Sequence, residues 1–494
     1  MEYISKDLKE NIEELKNRFK ECDDIIFREF HIGNQAFTHK VTLIYFENMI
    51  DRALIQDNII KPLTKVDYLT IERNPGRQLF DRIKEKLITA YRLEEKDNMG
   101  EIVAAILSGN TALFVDRIDR GIVIYSKGWE KRNIEEPQTE VAIRGAHEGF
   151  IESCGTNVSL IRKRIKDPNL KYFSTEIGKR SKTTVGLMYI DGIANPAIID
   201  ELKRRISKID IDGILESGYI EQLIEDNPMS PFPQFRHTER PDETCGALLE
   251  GNVVILCDNT PYALIAPVTL IGLFQSIDDY SSNWYIATLI RALRFLSAFF
   301  AVTIPALYIA STSYHPDMLP TDLVLSIASS RENVPFATPI EALLMLITLE
   351  VLREAGVRLP APFGQTIGIV GSIVLGQASV QAGIVSPIMV IIISINAISS
   401  FAIPNFNLAI CFRLMTFIFI LLASVAGLYG VYIGFLALII HLVKLKSVGV
   451  SYLSPFVNFK IGDGIDTFYR APFHQLTKRP DYTMPLDKDR MKKH

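Results

Sequence analysis

Charge is what this sequence runs short of. Between Ala361 and Ile440, 80 residues contain one charged side chain, Arg413. A soluble domain of ordinary composition does not leave so long a stretch uncharged. Hydrocarbon demands it, because a charge there costs roughly 2.5–3.5 kcal/mol even on lenient insertion scales. One crossing takes about 20 residues, so the run is too long for a single span and long enough for four closely packed ones. Cysteine is also sparse. Cys22, Cys154, Cys245, Cys257 and Cys411 form no Cys-x-x-Cys pair and have no histidine at metal spacing, which points to unpaired thiols in a reducing compartment and to no metal. Catalytic motifs are missing too. Gly178-Lys-Arg-Ser-Lys-Thr-Thr184 ends like a phosphate-binding loop, but Phe173 stands where the leading glycine belongs and Arg180 where Ser or Thr must follow. There is no Gly-x-Ser-x-Gly elbow and no His-Glu-x-x-His, and His147-Glu148 reads as the solvated face of a charged helix. The chain is therefore expected to be no enzyme and to use no cofactor. A net charge of −4 gives no reason to expect nucleic acid as a partner. The N-terminus carries no basic-then-apolar leader, so the long segment before the first hydrophobic span is expected to stay in the cytoplasm.

What is present divides into two halves, charged before Arg291 and apolar after it. In the first half, Leu8, Ile12, Leu15 and Phe19 recur at helical spacing. Lys40–Phe46 reads as a strand, followed by helical stretches around Ile50–Ile60 and Gln78–Tyr91. Ala105–Asp116 reads as a helix end, a glycine cap and a strand that returns as Gly121–Tyr125. The layout then repeats in order: Val185–Asp191 matches Val41–Glu47, Ala247–Asp258 matches the segment from Ala105, and Ile177-Gly178 matches Ile32-Gly33. Three matches in order indicate duplication. The fold class is thus two related α/β subdomains, cytoplasmic, followed by an all-α polytopic membrane domain. The expected divisions are 1–135, a helical linker over 136–169 with its helix from about Thr139 to Lys166, 170–290, a membrane part of about six helices over 291–446, and a cytoplasmic tail over 447–494. Two similar lobes either enclose a ligand cleft or serve as a docking scaffold.

Pro228, Pro231 and Pro233 restrict Pro228–Pro233 to an extended course. Pro231, Phe232, Pro233 and Gln234, with Glu239 and Arg240 beyond them, form either a rigid connector or a fixed platform facing a neighbouring chain, with a helix starting at Pro241. In the second half, spans are expected at Phe295–Ser313 (kinked at Pro305), Ile340–Val351, Gln365–Ala382, Ile384–Phe401, Leu408–Ala426 and Leu428–Val443, with a loop over His315–Pro335. Six crossings keep the basic flanks and both termini on the cytoplasmic side and the acidic loop on the other. Within Gln365–Ala382, Gly364, Gly368, Ser372 and Gly376 form a smooth stripe for close helix packing. On the adjoining face, Ile369, Val370, Ile373 and Val374 would form an apolar gate and Gln377 and Gln381 a wetter stretch of a pore; alternatively the glutamines bond neighbouring helices of the same subunit. Arg413 either snorkels to the cytoplasmic surface or pairs with Glu341 or Glu350.

The segments Glu148-Gly-Phe150, Leu160-Ile-Arg162, Ser181-Lys-Thr183, Pro231–Gln234, Thr238–Asp242, Leu352–Pro360, Gly376-Gln377, Ser386-Pro387 and Tyr452–Pro455, in this order and spacing, resemble the A subunit of the GerA-type spore germination receptors. The resemblance spans about residues 25–460 and departs at Ala146-His147, where the family more often has Pro-Arg. It implies a homo-oligomeric A subunit around a gated ion conduit in the inner membrane of an endospore, surrounded by membrane lipid. It also implies a transporter-like B subunit that binds the nutrient and a lipoprotein C subunit. A secondary transporter is the rival reading, but no repeat within 291–446 favours it.

Overall fold

The computed structural model describes residues 3–33, 38–64, 77–128, 136–137, 140, 144–358, 376–457 and 466–491. The chain opens with α1 (Leu8–Arg18), capped by the Asp7 carboxylate and burying Leu8, Ile12 and Leu15. β1 (Ile25–Gly33) and β2 (Thr38–Phe46) pair antiparallel. Helical runs over 52–64 and 77–87 follow. Next come β3 (Leu93–Lys96), α2 (Met99–Leu107), β4 (Thr111–Val115) and β5 (Gly121–Ile124). Gly109, at φ +83°, turns the chain from α2 into β4. The strand order is β1-β2-β4-β5-β3. Successive strand residues point to opposite faces, and here both faces are covered. Ile44 and Phe114 pack under α1 and α2, while Leu43 and Leu113 pack under the two helical runs.

The second unit repeats the plan. α3 (Cys154–Arg164) leads into β6 (Leu170–Ile177) and β7 (Thr183–Ile190). Then follow α4 (Pro196–Ser207), α5 (Ser217–Ile224), β8 (Arg236–Thr238), α6 (Pro241–Leu249), β9 (Val253–Cys257) and β10 (Ala263–Ala266). The order β6-β7-β9-β10-β8 is that of the first sheet, strand for strand. Val41 lies opposite Val115 and Ile44 opposite Ala112; likewise Val185 lies opposite Cys257 and Met188 opposite Val254. The segments that repeat in sequence are therefore the ones that pair in space.

Among the described residues, the expected linker helix over Thr139–Lys166 is helical as α3, whose start the Ser153 hydroxyl caps by accepting from the Thr156 amide at 3.4 Å. His147 and Glu148 precede it in irregular backbone, and Glu148 accepts from Lys163 Nζ at 2.7 Å and Arg164 Nη2 at 2.6 Å. α3 belongs to the second sheet, where it buries Val158, Leu160 and Ile161. It also joins the two units. Arg162, 2% exposed, donates to Asp24 at 2.5 and 2.7 Å across the junction and lies 4.2 Å over the Phe46 ring. The Asp23 amide donates to the Tyr172 carbonyl at 2.9 Å, so the lobes meet edge-on at a packed seam rather than an open cleft there.

The helical half contains α7 (Trp284–Ser313), α8 (Thr321–Ser330), α9 (Thr338–Arg358), α10 (Pro387–Phe401) and α11 (Phe406–Lys444). Among the described residues, α7 and α11 are long and apolar enough to cross a membrane, and α10 is a shorter apolar helix. α11 doubles back at Gly427, whose φ of 59° and ψ of −134° leave the helical region. The returning arm lies so close that a Cβ on Gly430 would stand 2.0 Å from the Leu422 carbonyl oxygen, and the Phe419 and Phe435 ring centroids are 4.9 Å apart. Breaks near Gly383 (φ +66°) and at Asn405, which caps α11 through its side chain, fall where the sequence placed them.

Several boundaries differ from the sequence reading. α7 begins at Trp284, well before Phe295, because Arg291 and Arg294 are neutralised inside it: Arg291 meets Asp279 at 3.1 Å and Asp466 at 2.8 Å, and Arg294 meets Asp279 at 2.9 Å. The expected loop His315–Pro335 holds α8, and the helix expected over Ile340–Val351 runs through the whole of α9. Described residues of the expected tail over 447–494 pack against the second lobe. Lys446–Ser447 and Val450–Ser451 form a hairpin, and Val448 and Val450 enter the core of the second lobe beside Leu187 and Ile255.

Candidate functional site

The lobes and the membrane helices meet at the proline-rich segment. Asn227 and Gln234 close it into a loop: the Asn227 amide donates to Gln234 Oε1 at 2.9 Å, and Gln234 Nε2 donates to the Asn227 carbonyl at 2.7 Å. The segment is therefore turned rather than extended, with a Ser230-to-Asn227 backbone bond of 3.1 Å. The clamp points Phe232, 2% exposed, into the helical core. Its ring centroid lies 6.3 Å from Phe412, on the outgoing arm of α11, and 5.9 Å from His441, on the returning arm. Ser230 Oγ and His441 Nε2 share a hydrogen bond of 2.8 Å, and the Cys411 thiol contacts the Pro231 carbonyl. Ser447 Oγ donates to the Gln234 carbonyl at 2.6 Å and accepts from the Val268 amide at 2.9 Å. Of the two readings of this segment, rigid connector or platform facing a neighbouring chain, its contacts here are with helices of its own chain, because the clamp turns Phe232 inward. Glu239 and Arg240 sit apart from this joint. Arg240 donates to Asp242 at 2.8 Å and to the carbonyls of Glu140 and Ala146 at 3.1 and 2.9 Å, and the Glu239 carbonyl accepts from the Phe150 amide at 2.7 Å. They fasten the segment between the lobes to the second sheet.

Besides the Arg291–Asp279–Asp466 cluster, polar groups of the described helices gather at three further nodes. Pro305 has no N–H, so the Ala301 carbonyl one turn earlier loses its helical donor. Asn396 of α10 and Thr416 of α11 donate to it instead, the latter at 2.7 Å. At the second node Glu350 accepts from Arg353 at 2.7 Å and from Arg413 at 3.3 Å. Of the two partners the sequence offered Arg413, this is the one it takes, and 16% of its side chain stays exposed. At the third, Glu341 accepts from the Ser386 amide and hydroxyl at 2.5 and 2.6 Å, with Arg331 at 3.7 Å from its other oxygen. Sequence reasoning missed Asn396 and Thr416. The signal was available, since a proline inside a span leaves a carbonyl that some nearby polar side chain must satisfy.

Of the residues expected to pack or line a conduit, Gly364, Gly368, Ser372, Ile369, Val370, Ile373 and Val374 lie outside the described residues. Gly376 is partly buried, and a Cβ there would meet Val390 of α10 at 3.9 Å, so this member of the stripe packs within its own chain. Gln377 and Gln381 are exposed, and their side chains have no hydrogen-bond partner among the described residues.

A family model described as Bacillus/Clostridium GerA spore germination protein matches residues 13–482. The chain is similar to the uncharacterized membrane protein YfkQ of Bacillus subtilis, 45% identical over 97% of this chain and 91% of that one. It is 43% identical to spore germination protein KA of the same organism, over 99% and 89% of the two chains. It is 41% identical to spore germination protein GerLA of Bacillus cereus, over 97% and 96%. A crystal structure of the N-terminal domain of the A subunit of the Bacillus megaterium spore germinant receptor GerK3 is 37% identical, covering 54% of this chain and 96% of that domain with a TM-score of 0.43.

Proposed function

Because the chain belongs to the Bacillus/Clostridium GerA family of spore germination proteins, we propose that it is the A subunit of a nutrient germinant receptor. It works in the inner membrane of the endospore beside a transporter-like B subunit and a lipoprotein C subunit. Identical copies surround a gated ion conduit whose opening starts germination. The helices cross six times, as α7, α9, 365–382, α10 and the two arms of α11, with both terminal regions in the cytoplasm.

The observation that carries the conduit is the exposure of Gln377 and Gln381. A primary amide turned to hydrocarbon without a partner costs about 2–7 kcal/mol. These side chains are satisfied if they face water at an axis shared by several copies. The apolar side chains of Ile369, Val370, Ile373 and Val374 then narrow the opening a turn or two away and hold it dry when closed. The Phe232 joint gives the lobes a lever on both arms of α11.

The test is potassium efflux from liposomes holding the purified full chain. Val374→Ala is expected to raise resting efflux about tenfold by widening the dry constriction, and Gln377→Leu to lower conductance when open. A V374A protein as tight as wild type would count against this gate. Saturable solute uptake by the chain alone would favour a secondary transporter instead.

A further inference from the structure

A cavity of about 200 Å³ sits where three distant parts of the chain meet. Arg236, Glu243 and Glu250 of the second lobe line it, together with Tyr280 of the connector ahead of α7 and Tyr482 and Arg490 from the segment after α11. Arg236 is committed: it donates to the carbonyls of Gly272 and Gln275 at 3.3 Å and forms an ion contact with Glu243. Glu140, within electrostatic reach of Arg236, accepts from Thr238 and from the Glu239 amide at 3.1 Å. Glu250 differs. Its nearest cation is Arg490 at 3.5 Å, and 22% of its side-chain surface is open.

Glu243 and Glu140 thus lie within reach of Arg236, and Glu250 lies against Arg490, with Asp466 and Arg479 as further charges around it. Burial, reinforced by neighbouring carboxylates, pushes Glu243 and Glu250 up to about 7 and Glu140 upward as well. Tyr280 spends its hydroxyl on Asp466 at 2.7 Å, leaving its ring to face the cavity. An anion entering this space would meet the carboxylates. A cation would gain a charge-assisted bond and ring faces to lie against. We propose that the cavity binds a small organic ammonium ion, its N–H groups donating to Glu250 and its alkyl part lying against Tyr280 and Tyr482. Because lobe, connector and the segment after α11 each supply a wall, the bound cation favours the state in which all three are docked.

The test uses the full chain in detergent with n-butylammonium chloride as the probe, against sodium chloride of equal ionic strength and against n-butanol. Calorimetric titration should show saturable binding and a rise in melting temperature with the probe alone. Glu250→Gln, which keeps the shape and removes the charge, should weaken binding about tenfold, whereas Glu13→Gln on α1 should leave it unchanged. Tyr482→Phe should bind within roughly twofold of wild type and Tyr482→Leu several-fold worse. Equal binding by E250Q, equal affinity for n-butanol, or the absence of saturable binding by a wild-type protein that melts cooperatively would each overturn the proposal.

Discussion

At the scale of single residues, Arg162 and Asp24 show how much one buried pair can hold. They belong to different lobes, are 2% and 6% exposed, and form two hydrogen bonds. Asp24→Asn leaves a buried guanidinium without its counter-charge and should destabilise the folded chain by about 3–5 kcal/mol, whereas the double change Asp24→Leu with Arg162→Met should recover much of that. Thermal unfolding in detergent distinguishes the two. Glu250 makes a different prediction. Its carboxyl is pushed to about 7 from an ordinary 4.5, with Arg490, Asp466, Arg236 and Arg479 as the charges around it. Between those values the folded chain keeps a proton that the unfolded chain has released, so stability falls as pH rises through that window. Glu250→Gln should therefore melt higher than wild type at pH 8 and much the same at pH 4. Single residues were unevenly legible. Arg413 announced itself as a lone charge in an apolar run, but whether it snorkels or pairs with a carboxylate was open until the structure placed it against Glu350. Asp24 gave no such sign, because its partner lies in the other half of a duplication.

At the scale of elements, the Pro305 node ties three helices through one carbonyl. Asn396→Ala should cost about 1–2 kcal/mol by leaving Ala301 under-bonded. Pro305→Ala returns a helical donor to that carbonyl, so the same asparagine change should matter less in the P305A background. A double-mutant cycle of melting temperatures in detergent measures that coupling. Elements were well read where the backbone sets its own limits. Gly109 ends α2, Asn405 caps the start of α11 and Gly427 turns α11 back on itself, each by conformation or cap. A charge is a poorer guide to where a helix ends. Arg291 and Arg294 stop a hydrophobic run but not a helix, since Asp279 and Asp466 neutralise them from outside the segment. The second start of the repeat was hidden for a related reason: α1 and α3 occupy the same place before their sheets, yet share little sequence.

At the scale of the whole molecule, the duplication and the division into an α/β half and an apolar helical half were legible because both rest on long patterns. The joint between them was not. Phe232 stands among three prolines, and only the Asn227–Gln234 clamp reveals that it turns inward. Phe232→Ala should empty a pocket bounded by Phe412, His441 and Tyr452 and cost about 3–5 kcal/mol. Limited proteolysis should then cut near residues 225–235 faster than in wild type, while Phe232→Leu should be nearly protected. The return of the chain to the second lobe has a consequence for biosynthesis. Strands β6 to β10 are made before any membrane helix, but Val448 and Val450, which fill out their core, leave the ribosome only after α11. The lobe must wait, unfinished, through the insertion of every span. A prematurely terminated protein would carry that gap as a lasting mark, legible to the proteases that police the cell.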